Sequence, residues 1–298
     1  MIFSSIEQTL GLFPLILGMY FSYRILRLTD LTVDGTFVLG AALYGRLLTC
    51  GCGYTVAVLG ALVGGALVGL FVALIQRHDR MDALLASIVT LLMLYSVNFQ
   101  VMGKPNLNLM RFDVFSLLFG GSKTEGSFIS LMVVSGLLMA GIMVLLRLPV
   151  GTVFRAFGAD KNLLARFNRN PEVYRSVGLA LSNCLAAFCG VIYATVNGYA
   201  DMNMGVGIAL TGIGAVVIGK HLVAFLNIVK DRKMKGVSFL PSTGIDLMGC
   251  FLGLLLYFLL INGLLILDIN PINLKLFLGI LLIGALGVQA NKKRRPSC

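Results

Sequence analysis

The chain has no tryptophan, only two histidines and only 13 acidic residues among 298, and charged residues make up just 12% of it. An ordinary soluble domain carries about a quarter charged residues, enough to coat one surface. A chain this poor in charge cannot keep such a surface wet, which excludes a soluble enzyme. Its 58% hydrophobic content excludes intrinsic disorder. The histidines, His78 and His221, and the cysteines at 50, 52, 184, 189, 250 and 298 form no metal-ligand spacing, and Cys50-Gly-Cys52 is the one close pair. A secreted disulfide scaffold is excluded too. No zinc-protease, Ser-His-Asp or paired-carboxylate arrangement occurs, so the chain is expected to carry no catalytic residue, metal or cofactor of its own.

What the chain does have is long apolar runs and a mean hydropathy of +0.92. Nine segments, at about 8–27, 33–50, 54–75, 83–102, 127–146, 176–198, 202–219, 245–267 and 274–290, read as membrane-crossing helices of roughly 20 residues. The expected fold is an all-α, polytopic helical bundle, a single transmembrane domain over residues 1–298. The opening stretch, MIFSSIEQTLGLF, lacks the basic region of a cleavable signal and is expected to stay as a span.

The net charge of +11 would suggest a nucleic-acid partner in a soluble protein. In a membrane protein it marks cytoplasmic loops and anionic lipid instead, so its position decides. Under strict alternation only Arg46, Lys104, Arg111, Lys123 and Lys275 of the 24 basic residues fall on one side, and the other 19 share the opposite side. By the positive-inside bias, the N-terminus lies outside and the C-terminus in the cytoplasm. No nucleic acid is implied.

Two segments differ from the rest. The second opens LTDLTVDGTFVLG, with Asp30, Asp34 and Gly35, and the seventh opens ADMNMGVGIALTGIG, with Asp201, Gly205 and Gly207. Both are short, glycine-interrupted and preceded by an acid able to cap a helix. Lying five spans apart, they run in opposite directions, the pattern of an inverted repeat with a pathway at its interface. Simple N-capping near the headgroups is the alternative. Asp34, Thr36, Asn98, Asn183 and Asn197 are the polar groups expected to line a pathway, since a polar side chain facing lipid is costly. Interhelical hydrogen bonding is the other role open to each.

Two further motifs are structural. Gly60-Ala-Leu-Val-Gly64 followed by Gly65-Ala-Leu-Val-Gly69 places small residues four apart, as close helix packing in lipid requires. The run Gly214 to His221 imitates a phosphate loop but has His221 where a hydroxyl must hold Mg²⁺, and no strand before it.

The loop at about 147–175, RLPVGTVFRAFGADKNLLARFNRNPEVYR, is the one long polar insertion. Phe154, Phe157, Leu163, Leu164 and Phe167 give it an apolar stripe, and a short helix is expected to start near Asp160–Asn162 and end before Pro171. Such a stripe suits either a docking surface for another protein or a helix lying on the membrane.

The strings FRAFGADKNLLARF, VGLALSNCLAAFCGVIYATVNGYADMNMGVGIALTGIGAVVIG and LTDLTVDGTFVLGAAL resemble the permease subunits of bacterial ABC importers of the branched-chain amino acid/ribose type, over roughly residues 8–290. They are most similar to the subgroup associated with tryptophan/tyrosine or uncharacterised uptake. The resemblance implies two inverted halves, a homodimer around a central pathway in the inner membrane, two cytoplasmic ATPase subunits that carry the ATP and Mg, and an extracytoplasmic binding protein. It implies a coupling role for Arg155, Ala156, Gly158, Asp160, Lys161, Leu163, Leu164 and Arg166. It also implies import of a small polar solute, an amino acid or similar metabolite, by alternating access. A gradient-driven transporter or channel working without an ATPase is the competing class. The chain departs from the family pattern at Phe167-Asn168-Arg169-Asn170, at Lys220 and at Thr195.

Overall fold

A computed structural model describes residues 2–77, 80–112, 123–160, 164, 167–233, 242–266 and 279. The ninth apolar segment, apart from Gly279, and the coupling residues Lys161, Leu163 and Arg166 lie outside them. The described chain is almost entirely helical, and six of its helices are long and apolar enough to cross a membrane. Two compact units are distinguished, Leu10–Gly212 and Met1–Thr9 with Ile213–Cys298.

Helix α1 (Ile2–Met19) begins in the smaller unit and, from Leu10, belongs to the larger, where it continues into a π-helical segment, Tyr20–Ile25. A linker follows, in which Arg27 takes a left-handed φ of 55°. Next come α2 (Thr32–Thr49), α3 (Tyr54–Ile75) and α4 (Ala83–Met102), which stops at Gly103 with φ 70°. A short strand β1 (Asn106–Asn108) precedes α5 (Lys123–Arg147), α6 (Pro149–Ala159) and α7 (Pro171–Asn197). Strand β2 (Tyr199–Asp201) pairs antiparallel with β1, Leu107 opposite Ala200. Helix α8 (Ile208–Lys233) starts in this unit and continues in the other.

The faces of α3 and α4 show which solvent the protein was built for. On α3, Leu59, Val63, Leu67, Phe71 and Leu74 are exposed while Ala57, Ala61, Gly65, Gly69 and Val72 are buried. On α4, Leu85, Ile88, Leu92 and Phe99 are exposed while Ser87, Thr90 and Asn98 are buried. The outward face is greasier than the inward one, the reverse of a helix on a water-soluble protein. Such a face suits hydrocarbon or an apolar partner rather than water.

Helix α2 is the exception, with 13 of its 18 residues buried, and it packs among α3, α4 and α7. Close approach is made by glycines. A Cβ at Gly40 would overlap the Ala187 carbonyl, and one at Gly190 would overlap the Phe37 carbonyl. The doubled G-A-L-V-G run of α3 serves two neighbours. Gly60 and Gly64 face Leu47 and Leu43 of α2, and Gly65 and Gly69 face the backbone of α7.

The helix expected to begin near Asp160–Asn162 falls largely outside the described residues, among which Leu164 is helical, and a separate helix precedes it. Pro149, whose missing N–H costs nothing at a first helical position, opens α6, and Asp160 is already extended, with φ −156° and ψ 115°. Its apolar stripe is not offered outward. Phe154 packs edge-on against Phe21 at 5.0 Å and Tyr174 at 5.7 Å, and Phe157 and Leu164 are buried. Phe167 alone of the stripe's described members is strongly exposed.

In the smaller unit, α8 from Ile213 onward packs on α9 (Ser242–Ile266) through glycines, with Gly219 against Gly249 and Gly253 against Ala215. Asn262 Nδ2 donates to Ser5 Oγ at 2.8 Å. The phosphate-loop imitation, Gly214 to His221, is simply helix.

Candidate functional site

The first turn of α2 is a polar hub reaching three other helices. Asp30 accepts the Thr32 N–H at 2.9 Å and the Thr32 hydroxyl, so it caps the start of α2. From α7, Asn183 Nδ2 donates to Asp30 Oδ2 at 2.8 Å, and Thr36 Oγ1 donates to Asn183 Oδ1 at 2.8 Å. Asp30, Thr32, Thr36 and Asn183 are all fully buried. The amide orientation of Asn183 is fixed by chemistry, because its NH₂ meets only acceptors, Asp30 and the Leu179 carbonyl. With one proton from each threonine, every polar atom of this set finds a partner, the condition under which a buried network specifies one packing.

Four residues on, Asp34 reaches the opposite way. Its carboxylate accepts the Gly207 N–H at 3.1 Å and the Ala209 N–H at 2.5 Å, at the start of α8. These are donors a helix leaves without an internal partner. Here they are met by a residue 173 and 175 positions away in the chain. Segment seven therefore does not begin its helix at Asp201. That residue lies in β2, where its Oδ1 accepts the Asn203 N–H at 2.8 Å and its Oδ2 an Asn106 amide hydrogen at 3.4 Å. Residues 202–207 form turns, Gly207 takes a φ of 86°, and the helix starts at Ile208. Gly205 lies directly on the Asp34 carbonyl, where a Cβ would overlap.

A third contact comes from α4, whose Asn98 Nδ2 donates to the Gly35 carbonyl at 3.0 Å. Gly35 itself sits against Leu94, with room for a side chain taken by that leucine. Of the five residues expected along a pathway, Asp34, Thr36, Asn98 and Asn183 thus gather around one turn. Asn197 stands apart at the end of α7, bonded to the Tyr193 carbonyl at 2.9 Å beside Gly198. Thr32 belongs with the four and was missed by sequence reasoning. Its signal was its place between the two acids of LTDLTVDGT.

A second feature lies at one end of the same unit. The α1–α2 linker, the α3–α4 turn, the end of α6 and the start of α7 line a cavity of about 780 Å³. All four segments are those the charge count assigns to the cytoplasm, whereas β1 and β2 join two segments assigned to the exterior. Gly158 and Asp160 line this cavity, and Arg155 is exposed nearby on α6. Gly158 is pressed on the Ile25 carbonyl, where a Cβ would overlap. Arg175 is almost fully buried, donating to the Gln76 carbonyl and pairing with Glu172 at 3.2 Å. Neither Arg175 nor Gln76 was singled out from sequence. Among the described residues, no cluster of His, Cys, Asp or Glu has the composition to hold a metal ion.

Comparison with known proteins agrees over nearly the whole chain. It is 41% identical over 285 residues to "Uncharacterized protein RP368" of Rickettsia prowazekii, covering 95% of each chain. It is 29% identical over 294 residues to the "Tyrosine transport system permease protein" of Clostridioides difficile, covering 98% of this chain and 94% of that one. Similarity to the "Autoinducer 2 import system permease protein LsrC" of Escherichia coli is 26% over 196 residues, covering 64% and 55%. No solved structure matches. The model of the family described as "Branched-chain amino acid transport system / permease component" matches residues 5–286. With that match and its several lipid-compatible helices, the chain belongs to the branched-chain/ribose-type permease family of ABC importers and is a multi-pass protein of the inner membrane.

Proposed function

We propose that this chain is the membrane-spanning permease of an ATP-driven importer, moving a small polar solute by alternating access coupled to separate ATPase subunits. The observation that carries this reading is the family match across residues 5–286. Within that class, the relative named as a tyrosine transport permease favours an amino acid or similar metabolite. The partners proposed are two cytoplasmic ATPase subunits, an extracytoplasmic binding protein and a second copy of this chain.

The geometry supports a route for coupling. Helix α6 is seated on the π-helical end of α1 and on α7 through Phe154, Phe157 and Gly158, so force applied to α6 reaches both helices through packed contacts. Cores so packed move as bodies rather than deform. The exposed face of α6, with Arg155, and the chain from Asp160 through Arg166 are proposed as the ATPase contact. In this role the buried stripe is the seat of the lever, and the polar face is its handle. Partly buried Asp34 is proposed to stand along the pathway, where water-accessible polar groups in a bilayer are expected, and the buried Thr36, Asn98 and Asn183 are proposed to hold the helices beside it.

The test is co-purification of the ATPase subunit with this chain from a membrane extract. Wild type is expected to bring the ATPase down, and Arg155→Glu to release it while the permease stays folded. A permease that purifies alone, with no ATPase under any detergent that preserves its fold, contradicts the reading.

A further inference from the structure

We propose that Asp34 is a positioning residue: its carboxylate is a releasable latch that holds the first turn of α8 against α2, and the transport cycle requires that hold to break and re-form. This rests on the alternating-access reading above and names the contact within the larger unit that changes.

The argument is a contrast between two interfaces of the same helix. Toward α7, α2 is fixed by backbone-close contacts at Gly40 and Gly190 and by the closed Asp30–Thr32–Thr36–Asn183 network. Each of those residues is buried and each polar group is partnered, so parting these helices would strand several polar groups at once, at a cost water cannot relieve. Toward α8, the polar hold is one carboxylate on two backbone N–H groups, and Asp34 is only partly buried. Water can replace that carboxylate when the turn lifts away, and the carboxylate can be hydrated in turn.

The start of α8 is held locally by backbone turns and by the Thr211 hydroxyl on the Gly207 carbonyl, and across to α2 by Asp34. The turns before it end at Gly207 with φ 86°, a backbone that glycine adopts without strain, and Asp201 is committed to Asn203 and Asn106. Among the described residues, the side-chain cap on the Gly207 and Ala209 N–H groups is the carboxylate of Asp34. Gly205 lets this segment lie flat on α2, so the latched arrangement is closely packed, and the Asp34 carboxylate spans it. Charge-assisted bonds of this kind are strong enough to bias a two-state equilibrium and weak enough to be overcome within a driven cycle.

The experiment uses the complete importer in proteoliposomes, measuring solute uptake and ATP hydrolysis in the same vesicles. Nitroxide labels are placed at exposed Cys50 and at Val206→Cys, which is exposed just before α8, with the other cysteines changed to serine. Wild type is expected to show ATP-driven uptake and two label-distance populations whose balance shifts with nucleotide. Asp34→Asn, of equal size but without the charge, is expected to move that balance about tenfold toward the longer distance and to lower solute moved per ATP by a similar factor. Asp34→Glu, which restores a carboxylate, is expected to recover much of both. An unchanged balance and ratio in Asp34→Asn would overturn the proposal. So would a lowered ratio with unmoved distances, which would make Asp34 a solute contact instead. Absence of ATP-driven uptake in wild type would defeat the proposed function itself, a failure separable from that of the latch.

Discussion

At the scale of single residues, Asn183 is the side chain on which most depends. It meets Asp30 with its NH₂ and Thr36 with its oxygen. Asn183→Leu keeps the volume but leaves the Asp30 carboxylate short of a donor in a dry site, with an expected destabilisation of about 3 kcal/mol. Asp30→Asn in the same chain removes the stranded charge. The double variant should therefore unfold in detergent with a penalty smaller than the sum of the two single ones by at least about 1 kcal/mol. Additive penalties would show that the two residues do not interact. The sequence made Asp30, Asp34 and Asn183 conspicuous because an apolar run makes any polar residue conspicuous. It could not show that Asp30 pairs with a residue 153 positions away, since pairing is a property of packing and not of spacing. Nor could it show that the capping acid of α8 is Asp34 rather than the nearer Asp201.

At the scale of elements, the long helices were legible where hydropathy and caps agreed. Pro171 at the first position and Gly198 with φ 73° beyond the end bracket α7, and both signals are local. Helix α6 was less legible for the opposite reason. Its start signal, Leu148-Pro149, was present, but whether Phe154 and Phe157 face outward depends on Phe21 and Tyr174, which no local spacing shows. Two outcomes separate the roles of α6. Gly158→Val should drive a branched side chain into the Ile25 carbonyl, lower the unfolding temperature and reduce uptake together. Arg155→Glu should abolish ATPase association while the permease still folds and inserts, as its unfolding transition in detergent would show. Similarly, Gly190→Ala, where a Cβ meets the Phe37 backbone, should cost about 1–3 kcal/mol in detergent stability. Gly136→Ala on α5, where a Cβ meets open space, should be neutral or stabilising by about 0.5–1 kcal/mol. Equal effects at the two glycines would contradict the close helix contact.

At the scale of the whole molecule, scarcity of charge and the placement of arginine and lysine were enough to read a membrane protein and an expected sidedness. The structure adds that α3 and α4 turn their greasier faces outward, and that α4 keeps serine, threonine and asparagine within. Family membership then adds transport as the activity of the class. The central claim is that this chain is a passage opened by work done on its cytoplasmic end by another subunit. It is tested most directly by loading vesicles with the purified permease, alone or with its ATPase, and following radiolabelled amino-acid uptake in the presence of the binding protein. The account predicts accumulation only when the ATPase and hydrolysable ATP are both present. Steady accumulation by the permease alone, driven by an ion gradient with no nucleotide, would contradict it.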